Sequence, residues 1–468
     1  MVSALSLQTA SLKSAVLADF IHHTRFQDLP ADITHKTVRH ILDTVGAAIA
    51  GAAASETERL TKTLHEVQEN GDATLLGQTT TVPPLAASLI NGTAAHAFEL
   101  DDTGGCDHSG AVVIPAALAA VECARRPVSG EDFITAVVLG YDLARRALEA
   151  CGAYEAHNGA GFHSTGTCGT FGAAAACAKL LRLTPHETQM ALGLAGSFSS
   201  GLWCCVHDGA QSKRLHAGHA AWGGLLSALS ARHGMTGPAQ IFEEVWGGFN
   251  HSFAPATSDP NAWLRDLGTY WKIARVSIKP YASCRSTHSS IDAVNQIRQA
   301  HPFSAEEVDE ITVIINPFVF GMCGKYDVIP MNAAQLSIPY CLAAALVFDD
   351  VSLASFDETH RRDSQIAAMM KRIRFEVDAS QKDDDEPIVR VRFNDGRSLQ
   401  TRVPIPLGAP TNPITDEALM KKFRSVTGLI LDPQEVSKLA DALLSLTQCE
   451  DLRTSLLPLA VPSQKRCG

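Results

Sequence analysis

Chemistry on a small anionic molecule needs few residue types: His, Lys, Asp or Glu to carry a proton, and Lys, Arg or a helix N-terminus to meet each carboxylate. Four short stretches bring those types together, each set in Ala/Gly-rich sequence. They read Asn91-Gly92-Thr93-Ala94-Ala95-His96-Ala97-Phe98-Glu99-Leu100-Asp101-Asp102-Thr103, Gly161-Phe162-His163-Ser164-Thr165-Gly166, Ser212-Lys213-Arg214-Leu215-His216, and Lys279-Pro280-Tyr281-Ala282-Ser283-Cys284-Arg285-Ser286-Thr287-His288. Blander readings exist for each. Asp and Thr are preferred helix caps, a Lys-Arg pair is commonly a solvated surface, and Pro280 suits a hinge. Gly166, Gly169 and Gly172 follow His163 at intervals of three, but the spacing is not GxGxxG and no strand pattern precedes it, so a dinucleotide loop is excluded. Gly169 and Gly172 read instead as a close helix-packing face.

The elements that must position these residues are mostly helices. Up to about Gly248 the pattern is helical: Val38, Ile41, Leu42, Val45 and Ile49 form one apolar stripe, Thr184-Pro185-His186-Glu187 is a helix start, and Ser129 with Asp132 is a weaker one. Pro115 to Arg125 and Gly172 to Leu181 read as Ala-rich helices whose small side chains allow close packing. After Trp271 the character changes. Ile311 to Ile315 and Ile373 to Val377 read as strands, and Ile388 to Phe393, Asn394-Asp395-Gly396 and Ser398 to Val403 as a hairpin. Ser304 to Glu307 caps a turn, Ala333 to Val347 is a helix, and Asp383-Asp384-Asp385-Glu386 is an acidic surface loop. Helix returns at Asp432-Pro433-Gln434-Glu435, with Val436, Leu439, Leu443 and Leu446 on its apolar face. The expected fold is mainly α, a large helical domain made from both ends of the chain with a smaller α+β domain inserted in it.

The bulk numbers set limits on function. A chain of 468 residues is long enough for two domains. A formal net charge of -11 argues against nucleic acid or a membrane surface as partner, since those want a broad positive field. No run of about 18 apolar residues is present. The 12 cysteines sit mostly in apolar runs without a CxxC pair, which suits buried thiols in a reducing, intracellular setting and argues against a structural metal.

Taken in order, Asn91-Gly92 through Asp102-Thr103, His108-Ser109-Gly110 with Val113-Ile114-Pro115-Ala116, Gly161-Phe162-His163, Lys213-Arg214-Leu215-His216-Ala217-Gly218 and Lys279-Pro280-Tyr281 through Asp292 resemble the MmgE/PrpD family. That family includes 2-methylcitrate dehydratase, cis-aconitate decarboxylase and iminodisuccinate epimerase. The resemblance spans most of the chain. It implies an all-α domain, here 1–270 and 408–468, and an α+β lid, here 271–407, usually in a homodimer, with the active site in the cleft between them. It implies a small di- or tricarboxylate substrate, no metal and no organic cofactor.

Residue by residue, the resemblance points to His108, His163, Lys213, Lys279, Thr103 and Asp102 as catalytic. Glu99, Asp101, Arg214, Cys284, Arg285 and His288 are the expected substrate-binding residues. Two departures matter. Thr103-Gly104-Gly105-Cys106-Asp107-His108 is glycine-rich where many relatives carry bulkier residues, which implies a wider or differently floored pocket. Cys284 occupies a position that is His in some relatives, and a thiol is a poorer acid or base than an imidazole unless its pKa is lowered. Arg285 then takes over charge binding and His288 supplies the imidazole. His96 and His219 read as packing or capping residues.

The expected function is a cofactor-independent lyase that dehydrates a 2-methylcitrate- or alkylcitrate-like tricarboxylate by acid–base catalysis. Its alternative is decarboxylation of a cis-aconitate-like acid; an epimerase of a dicarboxylate and a noncatalytic carboxylate-binding protein rank lower. Each reaction builds negative charge beside a carboxylate, which Lys213, Lys279 and Arg285 are suited to stabilise. The expected location is cytoplasmic, or mitochondrial in a eukaryote.

Overall fold

The computed structural model describes residues 12–67 and 71–463. Six long helices form the main body: α1 (Ala31–Gly51), α2 (Pro84–Ala95), α3 (Ser109–Cys123), α4 (Gly130–Ala150), α5 (Gly169–Leu180) and α6 (Ser212–Arg232). The stripe on α1 is buried throughout, from Val38 to Ile49. Side-chain caps fix several starts. Ser129 Oγ accepts from the Asp132 amide at the start of α4, and Thr184 and Glu187 close a reciprocal capping box. Small residues then let axes approach: a Cβ on Gly172 would lie 2.4 Å from the Gly140 carbonyl, so α4 and α5 touch backbone to backbone. Pro115, read from sequence as a helix start, lies inside α3. Burial of Ala111, Val112, Val113 and Ile114 carries the helix back to Ser109, against the roughly 3 kcal/mol that an interior proline costs.

The second unit is built around a four-stranded sheet. Helix α7 (Arg285–Ala300) leads to β1 (Val308–Ile315); α8 (Ile338–Val347), β2 (Ile373–Val377), β3 (Ile388–Phe393) and β4 (Ser398–Arg402) follow. Spatial order is β2-β1-β3-β4. The β1–β2 pair is parallel, with Ile311 opposite Ile373, and the β3–β4 hairpin pairs Ile388 with Arg402. Ile311, Val313, Ile315, Val389 and Val391 are buried while the alternate residues, Thr312 apart, are more exposed, as period-two strands require. The expected helix over Ala333 to Val347 is split into a short turn at Met331–Gln335 and α8, because Ser337 caps α8 through the Tyr340 amide. After the sheet, α9 (Asp416–Thr427) and α10 (Pro433–Leu444) return to the helical body, where Phe423 packs on Gly46 of α1.

Besides a small satellite of Ala73, Leu75, Val82, Ala86, Ala87 and Ile90, two large apolar cores result among the described residues. One gathers residues from Leu17 to Ile278 and from Ile414 to Ala460; the other gathers Ala282 to Val403, with Ala47, Ala50, Leu100 and Val426 contributed by the helical body. Trp271, Ile273, Val276 and Ile278, read from sequence as the start of the lid, belong to the helical core. The division into 1–270 with 408–468 and 271–407 stands as our proposal, with this shift at its first boundary. Among the described residues no helix is long and apolar enough to cross a membrane.

Candidate active site

The loop joining α2 to α3 is the organising element. Thr103 and Ser277 pair through both backbone hydrogen bonds, 3.1 and 2.8 Å, so the loop is stitched to the segment that leads into the second unit. Glu99 and Asp107 adopt φ of 54° and 88°, left-handed values that cost a non-glycine residue about 1 kcal/mol or more. Gly104, with φ 93°, lies against the Arg275 carbonyl. These turns aim Glu99, Thr103, Asp107 and His108 into a cavity of about 530 Å³ between the two units. Lys213 reaches it from the first turn of α6, Lys279 from the segment before α7, and Cys284 and Arg285 from the N-terminus of α7.

One wall carries His108, with His96 and His163 buried behind it. His108, the N-cap of α3, has Nδ1 2.9 Å from the Asp102 carbonyl and 3.1 Å from Asp101 Oδ2, while its Nε2 lies 3.5 Å from Asp107 Oδ2. Burial pulls the His108 pKa down, but Asp107 and Asp101 more than offset it, so the imidazolium is favoured. His96 shares Asp101, with Nδ1 2.9 Å from Oδ2. His163 sits behind Asp107, with Nε2 3.7 Å from Oδ2 and Nδ1 2.9 Å from His216 Nδ1. Burial lowers the His163 pKa to about 3, which leaves it neutral. The neutral His163 thus stands behind the wall, with the Asp107 carboxylate between it and His108.

The opposite wall is cationic. Glu99 Oε1 accepts from both Lys213 Nζ and Arg214, and Glu99 Oε2 accepts from Lys279 Nζ at 2.9 Å. All four side chains are buried. Burial would raise the Glu99 pKa, but the three cations hold it well below the usual carboxylate range. One carboxylate against three cations leaves an excess of positive charge, and the low dielectric of the site strengthens its pull on an anion. Glu99 is therefore engaged by the three cations.

The structure places the other sequence-read residues unevenly. Asp102 faces away from the cavity: Oδ2 accepts from Tyr141 at 2.5 Å and pairs with His40 Nδ1 at 3.0 Å, and Oδ1 accepts from the Gly110 amide. Asp101 lies behind His108 instead of lining the space. Arg214 faces a smaller neighbouring cavity. His288 is buried against Tyr281 with Nε2 3.2 Å from the Ser283 carbonyl, so it does not supply an imidazole to the cavity. Cys284 does line it, and a hydrogen bond with Cys323, aided by Lys213 and Lys279, lowers its pKa to about 6 against burial and Glu99. Arg285 lines the cavity but is paired to Glu386 at 2.6 Å. His219 is half-buried beside Ser200 and Trp222.

Some lining residues were not legible in the sequence. Asp107 carries no distinguishing spacing, whereas His96, read as packing, is buried behind the wall against Asp101. Trp203, 4.4 Å from the His163 ring, Arg145 and Arg275 had no local signal. Asp383 to Glu386, read as a surface loop, lines the cavity mouth. One nitrogen each of His96, His108 and His163 lies within 4.8 Å of the others, the group among the described residues whose spacing could hold a metal ion. The Nδ1 atoms of these three rings are already engaged by Asp101 and His216, so any metal would have to take Nε2.

The chain is 28% identical over 463 residues to a cis-aconitate decarboxylase-like protein of Aspergillus oryzae, covering 94% of this chain and 95% of that one. It is 28% identical to a cis-aconitate decarboxylase of Aspergillus terreus, covering 96% of each, and 26% identical to that of Homo sapiens, covering 95% and 94%. The MmgE/PrpD N-terminal domain matches residues 15–260 and the MmgE/PrpD C-terminal domain residues 281–447. With both domains matched in order over most of its length, the chain belongs to the MmgE/PrpD family.

Proposed function

We propose that this protein is a carboxy-lyase acting on a cis-aconitate-like tricarboxylate. The observation that carries this is one cavity holding a carboxylate-backed His108 on one wall and the buried Lys213–Lys279 pair on the other. The full-length similarity to cis-aconitate decarboxylases supports the same reading. It reverses the order expected from sequence, where dehydration stood first.

Two substrate carboxylates face Lys213 and Lys279. When the C–C bond to the third breaks, carbon dioxide leaves and the electron pair stays on the carbon skeleton, conjugated with a retained carboxylate. The two lysines stabilise that charge. His108 then delivers a proton to carbon, and neutral His163, across Asp107, is placed to pass a replacement proton inward. Thr103, whose hydroxyl is 3.3 Å from Asp107 Oδ1, steadies that carboxylate. Asp101 is a positioning residue acting through His108. Dehydration would use the same groups, with the proton going to a departing hydroxyl.

Incubation with cis-aconitate, citrate and 2-methylcitrate, with carbon dioxide and alkene absorbance followed together, tests the reading. Carbon dioxide from cis-aconitate is expected; alkene gain from 2-methylcitrate without gas would restore dehydration. Homodimeric assembly, supported by the family resemblance, and a cytoplasmic location, or a mitochondrial one in a eukaryote, supported by the scattered cysteines in apolar runs, complete the reading. Light scattering of the purified chain checks the first.

A further inference from the structure

The cavity that would receive a polyanion has an acidic mouth. Its wall carries seven Asp or Glu side chains against five Lys or Arg, and four of the seven come from the segment Asp383 to Glu386. Without that segment the same wall would hold three acids against five bases. The segment is fixed in place. Asn316, fully buried, donates to the carbonyls of Asp383 and Asp385 at 3.4 and 3.2 Å, and Asp385 Oδ2 caps the Lys382 amide at 2.8 Å. Strand β3 begins two residues after Glu386. Glu386 therefore meets Arg285 from a rigid base, at 2.6 Å, and both line the cavity.

Deep in the cavity, Lys213 and Lys279 suffice for two carboxylates. Arg285 is the remaining cation on the α7 side, and its partner is a protein carboxylate of the same chemistry as the substrate's. We propose that Glu386 is a specificity-determining residue that holds Arg285 until the outermost carboxylate of a tricarboxylate displaces it. A dicarboxylate satisfied by the two lysines does not make that exchange. Glu386 thus sets how strongly a third carboxylate is rewarded, a case of selectivity built from a competing contact as well as an attractive one. This inference rests on the proposed polycarboxylate substrate.

Calorimetric titration of the full-length protein with propane-1,2,3-tricarboxylate, which has neither alkene nor hydroxyl to react, and with glutarate tests it without turnover. Glu386→Gln is expected to tighten the tricarboxylate by about fivefold and glutarate by less than about twofold, the range available to a half-exposed ion pair. Arg285→Gln should weaken the tricarboxylate selectively, and Glu386→Gln added to it should give no further gain. Asp384→Asn removes the same charge without touching Arg285, so its small effect should be equal for both ligands. Equal gains for both ligands in Glu386→Gln, or an unchanged or weaker tricarboxylate, would overturn the inference while leaving the substrate class intact. A wild-type protein that binds neither ligand would overturn the substrate class and this inference with it.

Discussion

Asp101 and Asp102 are neighbours in sequence and both fully buried, yet they serve opposite sides of the loop. Asp101 holds His108 at the cavity wall and His96 behind it. Asp102 ties His40 of α1, Tyr141 of α4 and the first turn of α3 into the helical core. The first orients a group that would meet substrate; the second braces the elements that carry it. A motif of adjacent acids is therefore two devices, and only the backbone path after Glu99 decides which acid does which.

Breaking each in turn gives the largest contrast. Asp101→Asn should lower kcat by about 100-fold, because His108 loses both its orientation and part of the field that keeps it charged. Asp102→Asn should leave kcat below the melting transition within about threefold but cost about 2–4 kcal/mol of stability, the scale of a disrupted buried network. Parallel kinetics and thermal melts check both. Equal kinetic loss in the two variants would erase the distinction.

The pH dependence sharpens it. Because the folded-state pKa of His108 is raised, its charged form, and any step needing it, is full at low pH and lost as pH rises through that value. Removing the Asp101 charge should shift the basic limb of kcat to lower pH, whereas Asp102→Asn should leave it in place. His163 and His216 behave oppositely. Burial lowers their pKa values from 6.5 to about 3 and about 4, so the unfolded chain binds more protons between those limits and 6.5. Stability is then fully present above 6.5 and is lost as pH falls through that window; denaturant melts of His163→Asn should show a shallower acid decline, by roughly 1 kcal/mol per pH unit. The smallest effect concerns metal. Dialysis against a chelator should leave the rate unchanged, and a loss restored by a divalent cation would turn attention to the Nε2 atoms of His96, His108 and His163.

Much of this was legible in the sequence because local rules govern it. The caps at Ser129, Thr184, Ser304 and Asp432 and strand β2 form as read, since hydrogen-bonding side chains and alternating burial are short-range signals. Thr103, His108, Lys213, Lys279, Cys284 and Arg285 reach one cavity. What the sequence could not give depends on direction. Asp102 and His288 carry the right chemistry but point into packed interiors, while His96, read as a packing residue, is buried against Asp101. Asp383 to Glu386 looked like solvent-facing charge, because nothing within ten residues announces that α7 will bring Arg285 beside it.

In the proposed mechanism His108 supplies the proton in a decarboxylation held by Lys213 and Lys279. The most direct test is the rate of carbon dioxide release from cis-aconitate by His108→Asn, with propane-1,2,3-tricarboxylate binding measured on the same preparation. A fall of at least about 100-fold with binding retained within a few-fold is the predicted result. Release at close to the wild-type rate would contradict it.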